Sequence, residues 1–206
     1  MQVLMINGSP HEHGTTATAL SEIAKELKVC GIDSKIITVG NKPVRGCLAC
    51  GGCLTKGECV QQDAFVSEVI KEINESDGLI VGSPVYYASI NGTLKCLLDR
   101  VFYAKKDFSL KPAAAVAVAR RAGTTATLDI INKYFMISGM PVVSSSYWNM
   151  VFGKNGEDAL KDEEGLATMR NLARNMAFLI KCIKSGICNG IEKPVAEKGI
   201  RTNFIK

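Results

Sequence analysis

Two stretches of the chain gather residues whose types and spacing can do chemistry. In the first, Asn7-Gly8-Ser9-Pro10-His11-Glu12-His13-Gly14-Thr15-Thr16 follows a short apolar run and precedes a segment of helical period. A loop that closes on a helix N-terminus collects unpaired backbone N–H groups and the positive end of the helix dipole; Ser9, Thr15 and Thr16 add hydroxyls around Gly14. That combination binds an anion. No Lys follows Gly14 as a nucleoside-triphosphate loop requires, and the glycine spacing fails the dinucleotide fingerprint, so a terminal monophosphate fits best. His11 and His13 are candidates to hydrogen-bond it, although histidines at a solvated loop tip often do nothing specific. The plain alternative for the whole loop is a capped helix start without a ligand.

The second stretch is Cys47-x2-Cys50-x2-Cys53-x5-Cys59, four of the eight cysteines within thirteen positions. Thiolates this close in sequence can wrap one metal centre, and Gly46, Gly51, Gly52 and Gly57 give the backbone freedom to do so. Zinc, a Cys-x2-Cys redox dithiol and simply packed thiols are the alternatives. Cys30, Cys96, Cys182 and Cys188 are scattered and read as core or interface residues.

Two further loops carry useful groups. Ser83-Pro84-Val85-Tyr86-Tyr87 ends an apolar run, and aromatics with exposed backbone at the carboxyl end of a strand can border a flat ring such as an isoalloxazine. Ordinary loop packing is the alternative. Ala119-Arg120-Arg121-Ala122-Gly123-Thr124-Thr125 supplies two cations, a flexible glycine and hydroxyls, or else a solvated charged turn. Lys95, Asp99 and Arg100 have no base or nucleophile beside them and read as structural, with Lys95 and Asp99 paired one helical turn apart.

Positioning these loops requires strands and helices in alternation. Strands are expected at Val3 to Asn7, Ser34 to Val39, Gly78 to Ser83, Ala113 to Ala119 and Pro141 to Tyr147. Helices are expected at Thr15 to Lys28, from an N-cap at Asp63, at Asn91 to Phe102, at Thr125 to Ser138, and along the stripe from Leu166 to Ile183. Such alternation is the pattern of a parallel sheet covered on both faces. Right-handed crossovers permit the 2-1-3-4-5 order, whose ligand crevice lies at the carboxyl ends of strands one and three. All three loops then converge on one edge. Residues 1–184 form one domain in this reading, and residues 185–206 a basic extension that packs on a partner subunit.

Composition closes off other classes. With 47% hydrophobic and 22% charged residues among 206, the chain has the balance of an ordinary globular domain with one sizeable core. The longest uncharged apolar stretch, Pro112 to Ala119, falls well short of the roughly 20 residues of a membrane span. No basic region and cleavage site precede the first strand, so a cytoplasmic protein with reduced thiols is expected. The net charge of +5 is spread out, without a recognition motif, so no nucleic-acid partner is expected.

Taken together, GSPHEHGTT, SPVYYASINGTLKCLLDR and RRAGTT with the later GMPVV resemble the NADPH-dependent FMN reductase and iron-sulfur flavoprotein branch of the flavodoxin-like superfamily. The resemblance implies a flavodoxin-like three-layer sandwich with FMN. Ser9, His11, Gly14, Thr15 and Thr16 would hold its phosphate, Pro84, Val85, Tyr86 and Tyr87 would support the ring, and Arg120, Arg121, Gly123 and Thr124 would close over it. It also implies NAD(P)H as donor, an acceptor that is a flavin, a quinone or an iron-sulfur centre, and a homodimer or homotetramer whose loop from Gly40 to Gln62 reaches a neighbour. The family often has a basic residue just after the Ser-Pro pair, where this chain has His11 and Glu12, so the phosphate must rely more on backbone N–H groups and hydroxyls. The cysteine spacing resembles that of an iron-sulfur flavoprotein, with a 4Fe-4S cluster on Cys47, Cys50, Cys53 and Cys59. Two other readings stand beside a hydride-accepting oxidoreductase: a single-electron carrier between FMN and the cluster, and a non-catalytic binding module on the same fold.

Overall fold

Continuous burial along the central strands and helical stripes along the rest produce the expected layers. The structure, a computed structural model, describes residues 1–61, 63–104, 107–197, 199–200, 202 and 204. In chain order the elements are β1 (Gln2–Asn7), α1 (Thr15–Val29), β2 (Asp33–Thr38), α2 (Gly52–Lys56), α3 (Ala64–Glu75), β3 (Gly78–Tyr86), β4 (Ser89–Ile90), α4 (Gly92–Tyr103), β5 (Ala113–Ala119), α5 (Thr124–Met136), β6 (Met150–Phe152), α6 (Gly156–Ala159) and α7 (Glu163–Cys188). The parallel strands lie in the order β2-β1-β3-β5-β6, which is the expected 2-1-3-4-5 path; β4 adds an antiparallel hairpin to the end of β3.

Side chains alternate across this sheet. On one face Leu4 and Ile6 of β1 and Ala113, Ala115 and Ala117 of β5 meet α3, α4 and α5. On the other, Val3 and Met5 with Ala114, Val116 and Val118 meet α1 and α7. Both faces being covered explains why the strands read as continuous apolar runs. Asp63 caps α3 as expected, accepting from the N–H groups of Phe65 and Val66, and Val66, Val69, Ile70 and Ile73 are buried beneath it.

The fifth parallel strand is displaced from its expected position. Pairing starts at Pro141 to Val143, where Ala113 N–H donates to Pro141 O and Val143 N–H to Ala113 O, and then breaks until Met150. Helix α7 takes the intervening serines: Ser145 Oγ donates to Thr168 O at 2.6 Å, and Asn175 and Asn171 donate to Ser144 O and Ser146 Oγ. Side-chain bonds of this kind compete with a ladder, and here they win. Helix α7 itself runs to Cys188, so the extension expected from residue 185 begins inside it; Lys198, Arg201, Asn203, Ile205 and Lys206 of that extension lie outside the described residues. Among the described residues no helix is long and apolar enough to cross a membrane.

Candidate functional site

The turn after β1 is folded on itself by its own polar groups. Ser9 N–H donates to Asn7 Oδ1 at 3.0 Å, and His11 N–H donates to Ser9 Oγ at 3.0 Å. Gly8 lies against β3, its N–H 2.8 Å from Gly82 O, and a Cβ there would stand 2.9 Å from that backbone oxygen as well as against Leu94, so glycine is required. Helix α1 then opens at Thr15 with Gly14 as N-cap and no side-chain cap. Its first-turn N–H groups, which have no intrahelical acceptor, remain for a ligand or solvent. Thr16 is 1% exposed and its Oγ1 has no partner, and neither has Asn7 Nδ2. An orphaned buried polar group costs about 1–3 kcal/mol. A phosphate oxygen accepting from that hydroxyl and from the helix start would remove the penalty, so the residues present fit a terminal monophosphate.

A cleft of about 260 Å³ opens from this turn. Ser9, His11, Gly14, Thr15 and Thr16 line one side, and Pro84, Val85 and Tyr86 another. Arg120 closes the rim with Val118 and Ala119, and two residues that the sequence reading did not single out, Gly153 and Lys154, complete it. Lys154 follows β6 at its carboxyl end; placing the last strand too early hid it. With Arg120 it supplies the positive charge that is absent after Ser9-Pro10.

Tyr87, Arg121, Gly123 and Thr124 do not line the cleft. Tyr87 and Ala88 form the two-residue turn between β3 and β4, both with positive φ, which leaves the Tyr87 ring fully exposed. Two positive-φ residues are what a type I′ hairpin needs, and non-glycine residues there are strained. Gly123, at φ +93, caps α5 directly behind this hairpin: a Cβ would meet Val85 Cγ1 at 2.7 Å and Ala88 Cα at 2.8 Å. Thr124 is buried, its Oγ1 3.5 Å from Met150 Sδ, and Arg121 is exposed. Gly123 and Thr124 therefore set the position of the cleft wall.

The cysteine segment follows β2 and lies along the outer side of α4; Gln62, the end of the expected loop, lies outside the described residues. Positive φ at Ala49, Gly51 and Gly57 turns it around the short helix α2. Cys47, Cys50, Cys53 and Cys59 line one cavity together with Arg100 and Tyr103. All are free thiols, and among the described residues no three His, Cys, Asp or Glu side chains stand close enough to hold a single metal ion. Arg100, read from the sequence as structural, has a side chain only 1% exposed. Its Nη1 meets Asp63 Oδ2 at 2.6 Å, and its Nη2 donates to Cys59 Sγ at 3.5 Å and Gln61 O at 3.0 Å. Burial pulls the guanidinium down, but the bonds to Cys59 and Asp63 outweigh it and hold it above its ordinary value. Nearby on α4, Lys95 pairs with Asp99 at 3.0 Å as expected, and Tyr134 donates to Asp99; burial first, then that carboxylate, pushes the phenol up to about 12.

The two sites share no lining residue. Asn91, whose N–H donates to Ser83 Oγ beside the cleft, and Arg100 are nine residues apart on α4, about 14 Å along its axis.

Residues 1–155 match the family described as NADPH-dependent FMN reductase. An iron-sulfur flavoprotein of Methanocaldococcus jannaschii is 34% identical over 193 residues, covering 89% of this chain and 100% of its own. Among solved structures, RosB with bound 8-demethyl-8-formylriboflavin-5'-phosphate superposes with a TM-score of 0.72 at 12% identity, over 100% of this chain and 96% of its own. A flavodoxin from the domain Archaea gives 0.61 at 15% identity over 88% and 99%. At these identities both structures establish the flavodoxin-like fold.

Proposed function

The chain belongs to the NADPH-dependent FMN reductase family, and on that premise we propose that it moves reducing equivalents from a nicotinamide nucleotide, through FMN held in the cleft, to a 4Fe-4S cluster held by Cys47, Cys50, Cys53 and Cys59. The observation that carries the acceptor is the convergence of four thiols on one cavity beside a buried cation. Four soft donors without a carboxylate suit iron-sulfur chemistry, and a four-iron cluster spreads its ligands farther apart than a single ion does. The relative named an iron-sulfur flavoprotein matches along its whole length, which supports the same reading.

When bound, FMN supplies a centre that accepts hydride and donates electrons, and the cluster supplies a one-electron centre. The chain's own part is placement. The helix start at Thr15 and Thr16, with Ser9, would receive the phosphate, and Arg120 and Lys154 would oppose its charge. Pro84, Val85 and Tyr86, which line the same cleft, would border the ring and exclude water from one side of it. No side chain is required as a proton donor. Exposed aromatic side chains at Tyr86 and Tyr87, and separately at the paired rings of Tyr147 and Trp148, support assembly as a homodimer or homotetramer, which light scattering of the FMN-loaded protein tests.

Anaerobic purification with iron, sulfide and flavin assays tests the whole reading. Near-stoichiometric FMN with about four irons per chain, and iron lost in Cys50→Ser while FMN is retained, is the expected result. FMN without iron, together with sustained NADPH-dependent reduction of a quinone or free flavin, would replace it with a cluster-free reductase.

A further inference from the structure

Arg100 is a buried cation with more hydrogen-bonding capacity than a structural role uses. It sits in the third turn of α4, and Asp63 fixes it from across the helix pair. Asp63 divides its carboxylate between two tasks: Oδ1 accepts from the first N–H groups of α3, and Oδ2 meets the guanidinium. A clamp between α3 and α4 needs only that one contact. The remaining face of the guanidinium is turned to the cysteine segment, where Nη2 reaches both Cys59 Sγ and Gln61 O, and Nε has no partner. Gln61 O fixes the backbone just after Cys59, so the N–H···S geometry is held from both sides.

Burying a guanidinium costs several kcal/mol unless opposite charge surrounds it, and one shared, partly exposed carboxylate is a thin counterion. Four thiolates at the same cavity would complete the compensation. Hydrogen bonds and positive charge at the sulfurs of an iron-sulfur centre favour its reduced form, because reduction adds negative charge where solvent screens it poorly.

Resting on the cluster reading above, we propose that Arg100 is a positioning residue that donates an N–H···S hydrogen bond to the Cys59 ligand and raises the reduction potential of the cluster, favouring electron flow from reduced FMN. The electron count is simple: one electron leaves the reduced flavin and one enters the cluster, with no bond made or broken at Arg100.

The test is a redox titration of the anaerobic holoprotein, following the cluster by electron paramagnetic resonance and the flavin by absorbance. In Arg100→Met the cluster midpoint should fall by at least tenfold in the reduction equilibrium, about 59 mV for a one-electron couple, with the FMN midpoint unmoved. Arg100→Lys, which keeps the charge and loses the fork, should fall in between. An unchanged midpoint in Arg100→Met with the cluster intact overturns the inference and leaves the cluster reading standing. If Arg100→Met does not fold, Arg100→Lys carries the test, and an unmoved midpoint there overturns it. Wild-type protein that holds FMN but takes up no iron on anaerobic reconstitution overturns the cluster reading and this inference with it.

Discussion

The phosphate turn and the cysteine segment are built on opposite principles. Residues 7–16 are held by backbone and by short polar links into β1, β3 and α1, with Ser9, Thr15 and Thr16 buried. The cysteine segment has a single five-residue helix with no buried residue, and it touches the core only through partly buried side chains such as Val44, Cys53 and Cys59. One site is prepared by the fold before any ligand arrives. The other is made by side chains and depends on Arg100, Asp63 and whatever the thiols bind. A backbone cradle should therefore respond to changes in ligand charge, and a side-chain cage to the loss of single residues.

The largest effect is expected at the support of the cage. Asp63→Asn keeps a good N-cap for α3 but leaves Arg100 buried without its counterion, and should cost about 3–5 kcal/mol in denaturant unfolding of the apoprotein. A cost below about 1 kcal/mol would mean that the pair contributes as little as a surface salt bridge. Next comes the wall between the cleft and α5. Gly123→Ala forces a left-handed alanine into Val85 and Ala88, and thermal melts should show a loss of about 2–3 kcal/mol, or a Tm lower by roughly 5–10 °C.

A smaller change sharpens the contrast by separating its two sides. Thr16→Val removes the orphaned hydroxyl, so apoprotein stability should hold or rise while FMN affinity drops about tenfold, the equivalent of roughly 1.4 kcal/mol. Fluorescence titration with FMN and a parallel melt read both signs; affinity and stability falling together would point to packing alone. The smallest effect belongs to α4, the helix that spans both regions. Tyr134 ionises at about 12 in the folded protein against 10.0 for the ordinary group. Between those values the unfolded chain releases a proton that the folded chain keeps, so its contribution, complete below pH 10, is lost as the pH rises towards about 12. Phenolate absorbance should show one late tyrosine among the five, and Tyr134→Phe should remove it.

What was legible in the sequence follows the same division. The turn at residues 7–16 rests on local signals, a strand end, glycines and a helix start, and could be read at its true place. So could the grouping of the four cysteines, whose spacing is local. Arg100 could not, because its partner Cys59 is 41 positions away and nothing in LLDR marks which helical face meets the loop. Lys154 was missed because Ser144, Ser145 and Ser146 leave the sheet for α7, a tertiary competition that an apolar pattern does not reveal. The resemblance implied Gly123 as part of the loop that closes over the ring; what no sequence pattern marks is how closely Val85 and Ala88 approach it.

Calorimetric titration of the apoprotein with FMN and with riboflavin, which differ only in the terminal phosphate, puts the cradle to the test. Charge-assisted bonds from the start of α1 and from Thr16 should make FMN bind at least a hundredfold more tightly, about 2.7 kcal/mol. Equal affinities for the two would contradict a phosphate held at residues 8–16.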